Sequence, residues 1–501
     1  MELTLKKETY KYSKEIYRGR TIKEESVEMI VPNSKPDILR LLGTSATVFL
    51  RSKEALDGKI SITGAAETAV LYLPEDGGAV QKLTVEIPFS AEVPCPGAGS
   101  DTALAVTLRL ASAECKVLNP RKVLVRVSAE ISLRCFEDAE ETIPSGLEAD
   151  GPAEVLAASA ESAVCTSVTE KIFAVTDEFT LPGGREAIGE VMKTEVSLLV
   201  DDVKSVGKKL IFKGAAKLHL LYRTMESGEL DSADFLSAFS QIMELEDSTE
   251  GANFELFVVP TGVYYNDDAI DRRSVSMELH AVAQCLARKT LTVPYIEDAY
   301  STRYVLSTNY RDLELITMEK TDLPPASVRE ELNTGVPVKN ILDVSVSVGE
   351  TSPAGSGEYR TPVRVALLYT DEKGTPGNAE KTLEVRTAAE DGKTLVGTLS
   401  GDVFASPGAS GAEIRFTVAF SAEKKSATTV RAVTDLSYSD DEAISLAEQP
   451  SLVVVRTAGT ETLWELAKRY YSTRALIRQS NSLDEEASPQ PGMLLIIPKL
   501  R

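Results

Sequence analysis

The chain has 501 residues with 76 acidic and 54 basic side chains, a net charge of −22 and a pI near 4.8. That length is too great for one hydrophobic core and implies three or four domains, and that charge argues against nucleic acid, whose phosphates need clustered Lys and Arg. Five scattered cysteines (Cys95, Cys115, Cys135, Cys165, Cys285) without a CxxC pair indicate neither a disulfide framework nor a metal site and read as isolated buried thiols.

In chain order, Met1 to Arg20 is rich in Lys, Glu and Tyr and lacks an apolar leader core, and no stretch of eighteen apolar residues follows. The expectation is a soluble cytoplasmic protein without membrane insertion. The next landmarks recur. Gly64-Ala65-Ala66 to Leu71-Tyr72 returns as Gly214-Ala215-Ala216 to Leu221-Tyr222, and Pro32/Pro182, Phe89-Ser90/Phe239-Ser240 and Cys135/Cys285 keep the same offset of 150 without a gap. A constant offset at four landmarks indicates a duplicated domain. A more diverged third copy is signalled by Thr361 to Leu368-Tyr369, by Val336-Pro337 with Ile341-Leu342 echoing Lys35-Pro36-Asp37-Ile38-Leu39, and by Val430 to Tyr438 echoing Val125 to Leu133.

Inside a copy the hydrophobic period is two. Lys59 to Thr63, Leu83 to Ile87, Val106 to Leu110, Val123 to Val127 and Ile131 to Leu133 read as strands between Gly, Pro and Asn punctuation. Their spacing predicts antiparallel sheets, as a sandwich or an open barrel, so the fold class is mainly β with three tandem repeats and a small α+β tail. Extended leads (Thr9 to Arg18, Ala160 to Val175, Ser301 to Thr317) are candidate extra strands, and Ser34 to Leu42 is expected to form a short helix capped by Ser34. The expected division is 1–137, an acidic linker 138–158, 159–297, 298–438, a linker 439–450 that tethers the tail, and a tail domain 451–501.

These copies carry a resemblance. Val31-Pro32, Lys35-Pro36-Asp37-Ile38, Gly58-Lys59, Gly64, Leu71-Tyr72 and Pro88-Phe89-Ser90 resemble the SPOCS domain of spore-coat proteins; the second copy keeps Leu181-Pro182, Gly207-Lys208, Gly214 and Leu221-Tyr222 but has Gly183 to Ile188 in place of the Lys-Pro-Asp-Ile stretch.

A search for catalytic chemistry finds little. His219 and His280 lie in strand-like runs without a cysteine or second histidine at metal spacing, and read as sheet residues. Asp201-Asp202 and Asp267-Asp268 read as loop carboxylates, and Pro182-Gly183-Gly184 and Gly374 to Gly377 as turns rather than phosphate loops. The expectation is a protein that is not an enzyme and needs no cofactor and no metal.

The last fifty residues predict strand, helix, helix, strand. Leu452 to Arg456 is the first strand. Thr462 and Glu465 have capping-box spacing; Leu463, Leu466, Ala467 and Tyr470 form one apolar stripe. A second helix follows Ser472-Thr473, with Leu476 and Ile477 in the same core and Asn481 as its stop, and Leu494 to Ile497 close the sheet. Thr462-Leu463-Trp464, Ala467, Asn481, Leu483, Pro491-Gly492 and Ile497-Pro498 resemble the LysM domain, with Thr460-Glu461 where that family usually has Gly-Asp. The resemblance places a partner- or glycan-binding groove at Thr460, Glu461, Thr462, Leu463 and Trp464 and at Asn481, Ser482, Leu483 and Asp484. For Trp464 two readings stand: packing against the closing strand, or an exposed anchor for a partner.

Tandem SPOCS copies followed by one LysM resemble the layout of the SipL-like family of coat morphogenetic proteins. That resemblance implies a scaffold in the mother cell at the forespore surface and spore coat. It also implies that the tail recruits stage IV sporulation protein A, the coat ATPase, with other coat proteins as further partners. The alternative it leaves open is recognition of peptidoglycan by the tail, with the β domains as spacers.

Overall fold

The computed structural model describes residues 3–246, 250–266, 272–445, 450–484 and 487–499. The alternating, β-branched pattern folds the same way three times: a long strand, a three-strand meander, a fifth strand and a long return strand. In the first repeat these are β1 (Leu3–Ile30), β2 (Ile38–Leu56), β3 (Lys59–Pro74), β4 (Gln81–Pro94), β5 (Ala103–Asn119) and β6 (Lys122–Ala149). The second has β7 (Ala153–Thr180), β8 (Ile188–Val206), β9 (Lys209–Thr224), β10 (Leu230–Glu244), β11 (Asn253–Asn266) and β12 (Ser274–Ser301). The third has β13 (Tyr304–Asn333), β14 (Val338–Val348), a short β15 (Ser352–Gly355), β16 (Glu358–Asp371), β17 (Pro376–Ala388), β18 (Thr394–Pro407) and β19 (Gly411–Ala443).

Each repeat is a sandwich of two antiparallel sheets, β2-β3-β4 against β1-β6-β5 in the first. Every second residue points inward, so Ile62, Val70 and Leu83 from one sheet meet Val106, Val125 and Ile131 from the other in one buried core. The three sandwiches close on one another. Leu42, Met192 and Leu342 occupy equivalent places in β2, β8 and β14, 150 residues apart, and all three lie in a single buried cluster. Equivalent residues meeting at one place is the mark of a pseudo-threefold arrangement. Polar contacts tie every seam: Arg51 donates to the Thr261 carbonyl (3.0 Å), Lys193 pairs with Asp343 (2.6 Å), and Arg40 donates to the Pro376 carbonyl (2.8 Å).

The long strands leave the sandwiches together. β1, 28 residues, spans about 90 Å at ~3.3 Å per residue, and it stays paired with β6 from Ile30↔Lys122 to Leu3↔Ala149. β7 with β12 and β13 with β19 do the same, so three two-stranded ribbons run side by side. They form a stalk because their inward faces are apolar: Ile143, Val293, Tyr295, Leu313 and Ala432 make one layer, and Ile296, Ala299, Val433 and Leu436 another.

The stalk corrects several expectations. Residues 138–158 are no linker but the end of β6, a bend at 150–152 and the start of β7, so the boundaries at 137/138, 158/159 and 297/298 fall inside strands. Residues 439–443 likewise finish β19, where Tyr304 pairs with Ala443; the rest of that expected tether includes residues 446–449, outside the described residues. The three extended leads belong to β1, β7 and β13. Ser34 to Leu42 is not helical. A turn brings Lys35 N to the Pro32 carbonyl (2.9 Å), and β2 starts at Ile38 because the Arg121 guanidinium binds the Val31, Pro32 and Lys35 carbonyls (2.9–3.0 Å) and Asp37 (2.7 Å), holding the segment open. In the third repeat Val338, not Ile341, is the counterpart of Ile38: it opens β14 as Ile38 opens β2. Asp201-Asp202 lies within β8 rather than in a loop, and Asp267-Asp268 falls outside the described residues.

Candidate functional site at the docked tail

The tail folds as β20 (Leu452–Arg456), α1 (Leu463–Arg469), α2 (Arg474–Asn481) and β21 (Leu494–Pro498), with β20 antiparallel to β21. The capping box forms: Glu465 N donates to Thr462 Oγ1 (3.1 Å) and Thr462 N to the Glu465 carboxylate (2.8 Å). Leu463, Leu466, Ala467, Ile477, Leu495 and Ile497 make the core, with Tyr470 and Leu483 at its margin; Leu476 is only half-buried. Helix α2 ends through Ser482, whose φ of 51° takes the left-handed place expected of Asn481.

The two predicted groove segments are held to different parts of the tail. Thr460 and Thr462 are exposed, while Glu461 pairs with Arg469 (2.5 Å). Their loop is tied to the 490–493 turn, since Thr457 N donates to the Met493 carbonyl (2.9 Å) and Gly492 N to the Thr457 carbonyl (2.8 Å). Asn481 is spent on structure: its amide accepts from Ile496 N (2.7 Å) and donates to the Ile496 carbonyl (2.6 Å), capping the outer edge of β21. Ser482 and Asp484 are exposed. Leu463 is core.

Trp464 is 6 % exposed, packed in one cluster with the tail's own core and with Tyr300 of the stalk. A bulge between Ile296 and Asp298 in β12 re-aims Asp298 out of the ribbon. Its carboxylate accepts from Trp464 Nε1 (2.9 Å), from Lys468 Nζ at both oxygens (2.7 Å each), from the Tyr310 hydroxyl (2.9 Å) and from Ala299 N (2.9 Å). Burial alone would raise its pKa, but Lys468, Trp464 and Tyr310 outweigh it and hold the carboxyl below the usual range. Beside it the Tyr300 ring meets Trp464 edge-on at 4.9 Å, and the Tyr300 hydroxyl donates to the Ser472 carbonyl (2.8 Å). The Arg474 guanidinium lies over the indole, 5.0 Å from the ring centre, with Glu154 at 3.7 Å. Charge balance fits this docking. Residues 450–501 carry seven Lys and Arg against five Asp and Glu, a net +2 in a chain of −22. Sequence reasoning missed Asp298, Tyr300, Glu154, Lys468 and Arg474, and that charge contrast was the one available signal.

The two histidines are engaged as sheet residues. His280 contacts Glu278 (2.7 Å) and the Tyr264 ring. His219 lies at the seam between the second and third repeats, 2.9 Å from Asp234 and 3.2 Å from Asp343, the latter an ion-pair distance without hydrogen-bond alignment. Burial pulls its pKa down, yet the two carboxylates carry it up to about 9. Among the described residues no helix is long and apolar enough to cross a membrane.

Two stretches of the repeats, residues 37–118 and 187–266, match the family SipL, SPOCS domain. They cover β2 to β5 and β8 to β11, the meander and fifth strand of the first two sandwiches. Both stretches are thus similar to the SPOCS domain, two copies in tandem, and that similarity points to a sporulation-related role. No curated protein and no solved structure matches the chain.

Proposed function

We propose that this chain is a non-enzymatic scaffold of spore-coat assembly in the mother cell, which binds stage IV sporulation protein A through its C-terminal βααβ tail and helps place the coat on the forespore surface. The observation that carries the reading is the pair of SPOCS domains. The tail adds support: it resembles a LysM module, and its net charge of +2 suits an acidic protein surface. A sugar-binding role has less support. Asn481 is occupied by β21, and Glu461 by Arg469. The test is co-purification of the full chain, and of a chain ending at residue 445, with the purified ATPase and with purified peptidoglycan. Retention of the ATPase by the full chain and not by the shortened one is expected. Peptidoglycan retention without ATPase retention would sink the reading.

A further inference from the structure

The tail's docking at the stalk tip is a recognition event as well as a packing contact. The face of α1 and the start of α2 present an indole N–H, an ammonium and a guanidinium together, in Trp464, Lys468 and Arg474. What they receive is a short chemical pattern on an extended ribbon. It consists of the Asp298 carboxylate, the Tyr300 ring two residues on and therefore on the same side of the strand, and the Glu154 carboxylate from the paired strand, whose register sets Glu154 opposite Tyr300. Every polar group of the cationic face has a partner of opposite character. Such a match defines a ligand: an acidic, aromatic β-strand edge.

We propose that this face of the tail is a recognition site for a carboxylate-x-aromatic strand, occupied in cis by Asp298-Ala299-Tyr300, so that the tail acts as a latch. The inference rests on the tail's carrying the partner-binding role proposed above. An external partner reaches Trp464 only by displacing the stalk tip. The contact suits reversal, because its ion pairs stay partly wetted: Lys468 and Asp298 retain 43 % and 19 % side-chain exposure, and Arg474 and Glu154 retain 34 % and 23 %. Only eight residues of sequence, 444–451, separate β19 from β20, which keeps the local concentration of the cis ligand high. A latch closed nine-tenths of the time weakens trans binding about tenfold.

Trp464 is the only tryptophan of the chain, so its fluorescence reports the latch directly. In the full chain, Asp298→Ala is expected to raise acrylamide quenching of Trp464 several-fold with the far-ultraviolet circular dichroism unchanged. Tyr300→Ala opens the latch while keeping the Tyr310–Asp298 bond, and covers the case in which the first variant fails to fold. The probe in trans is a disulfide-closed hairpin peptide of residues 153–158 and 295–301. It is expected to return the quenching of Asp298→Ala to the wild-type value, and a hairpin with Ala at the Asp298 position is not. Quenching that stays at the wild-type level in both variants overturns the latch, and a hairpin without effect overturns the recognition site. These readouts contain no coat ATPase, so a failure of ATPase binding falls on the proposed function alone.

Discussion

Gly64 and Gly214 stand directly across from Phe89 and Phe239, and the aromatic ring lies over the bare backbone in both sandwiches. A Cβ on Gly64 would come 2.3 Å from the Phe89 ring; one on Gly214 would come 1.9 Å from the Leu199 carbonyl oxygen. Gly64→Ala should therefore cost ~1–3 kcal/mol in urea unfolding, and Gly214→Ala more, because the backbone carbonyl, which yields less than a ring, would stand 2.7 Å from the new Cβ at Gly64 and 1.9 Å at Gly214. The same pairing explains the third copy: Thr361 replaces the glycine and Val385 faces it, so the ring and the space it needs were lost together. His219 gives a second residue-scale prediction. Its folded pKa of about 9 lies above the ordinary imidazole value of 6.5, so its contribution is complete below pH 6.5 and fades as pH rises through 9. Asp343 works in the opposite sense. Burial opposes its charge, but Lys193 and His219 hold its pKa well below 3.8, so its contribution is present above that value and is lost in acid. The seam should be firmest between about pH 4 and 6.5. The alkaline loss of stability should disappear in His219→Gln; an unchanged pH profile would contradict this account.

Among the elements, the long strands show what could be read from local sequence and what could not. Alternation at Lys59 to Thr63 or Val123 to Val127 is a local signal, and those strands were legible. Asp138 to Glu141 reads as a solvated linker because its partners lie far away in sequence: Lys11 approaches Glu140 at 3.8 Å, and just before the stretch Lys14 faces Glu137. A run of acid is a tolerable strand when lysines stand across from it, and pairing over more than 120 residues leaves no trace in a short window. Arg121 was invisible for a similar reason. Its role is to bind carbonyls of the 31–37 loop, and Arg273 repeats it in the second copy by donating to the Pro182 and Arg185 carbonyls. Arg121→Lys should not rescue Arg121→Ala, since one ammonium cannot serve a fan of acceptors; each should lose about 1–3 kcal/mol in denaturant titrations. In the tail, the capping box and the apolar stripe were legible for the same local reason as the short strands. The stalk contact of Trp464 was not, because half of it is Asp298 and Tyr300.

For the whole molecule, three sandwiches with shared seams and one stalk should not unfold separately. Urea unfolding followed by circular dichroism should give a single transition for the three repeats; three resolved steps would mean that the seams contribute little. Removing everything after Ser301 should lower the midpoint of what remains, because Lys193 and His219 would lose Asp343. The seams differ from one another in a way that an assembly of three identical chains could not. At the junction of the second and third repeats stand Lys193, His219 and Asp343; at the matching places one repeat earlier stand Gly43, Ala69 and Lys193. Fusion into one chain supplies the three parts in equal number and fixed order, and it released each junction to drift alone. A shuffled chain with the first and second repeats exchanged would keep every sandwich intact and still lose the ring, since the copies have become related parts that no longer substitute for one another.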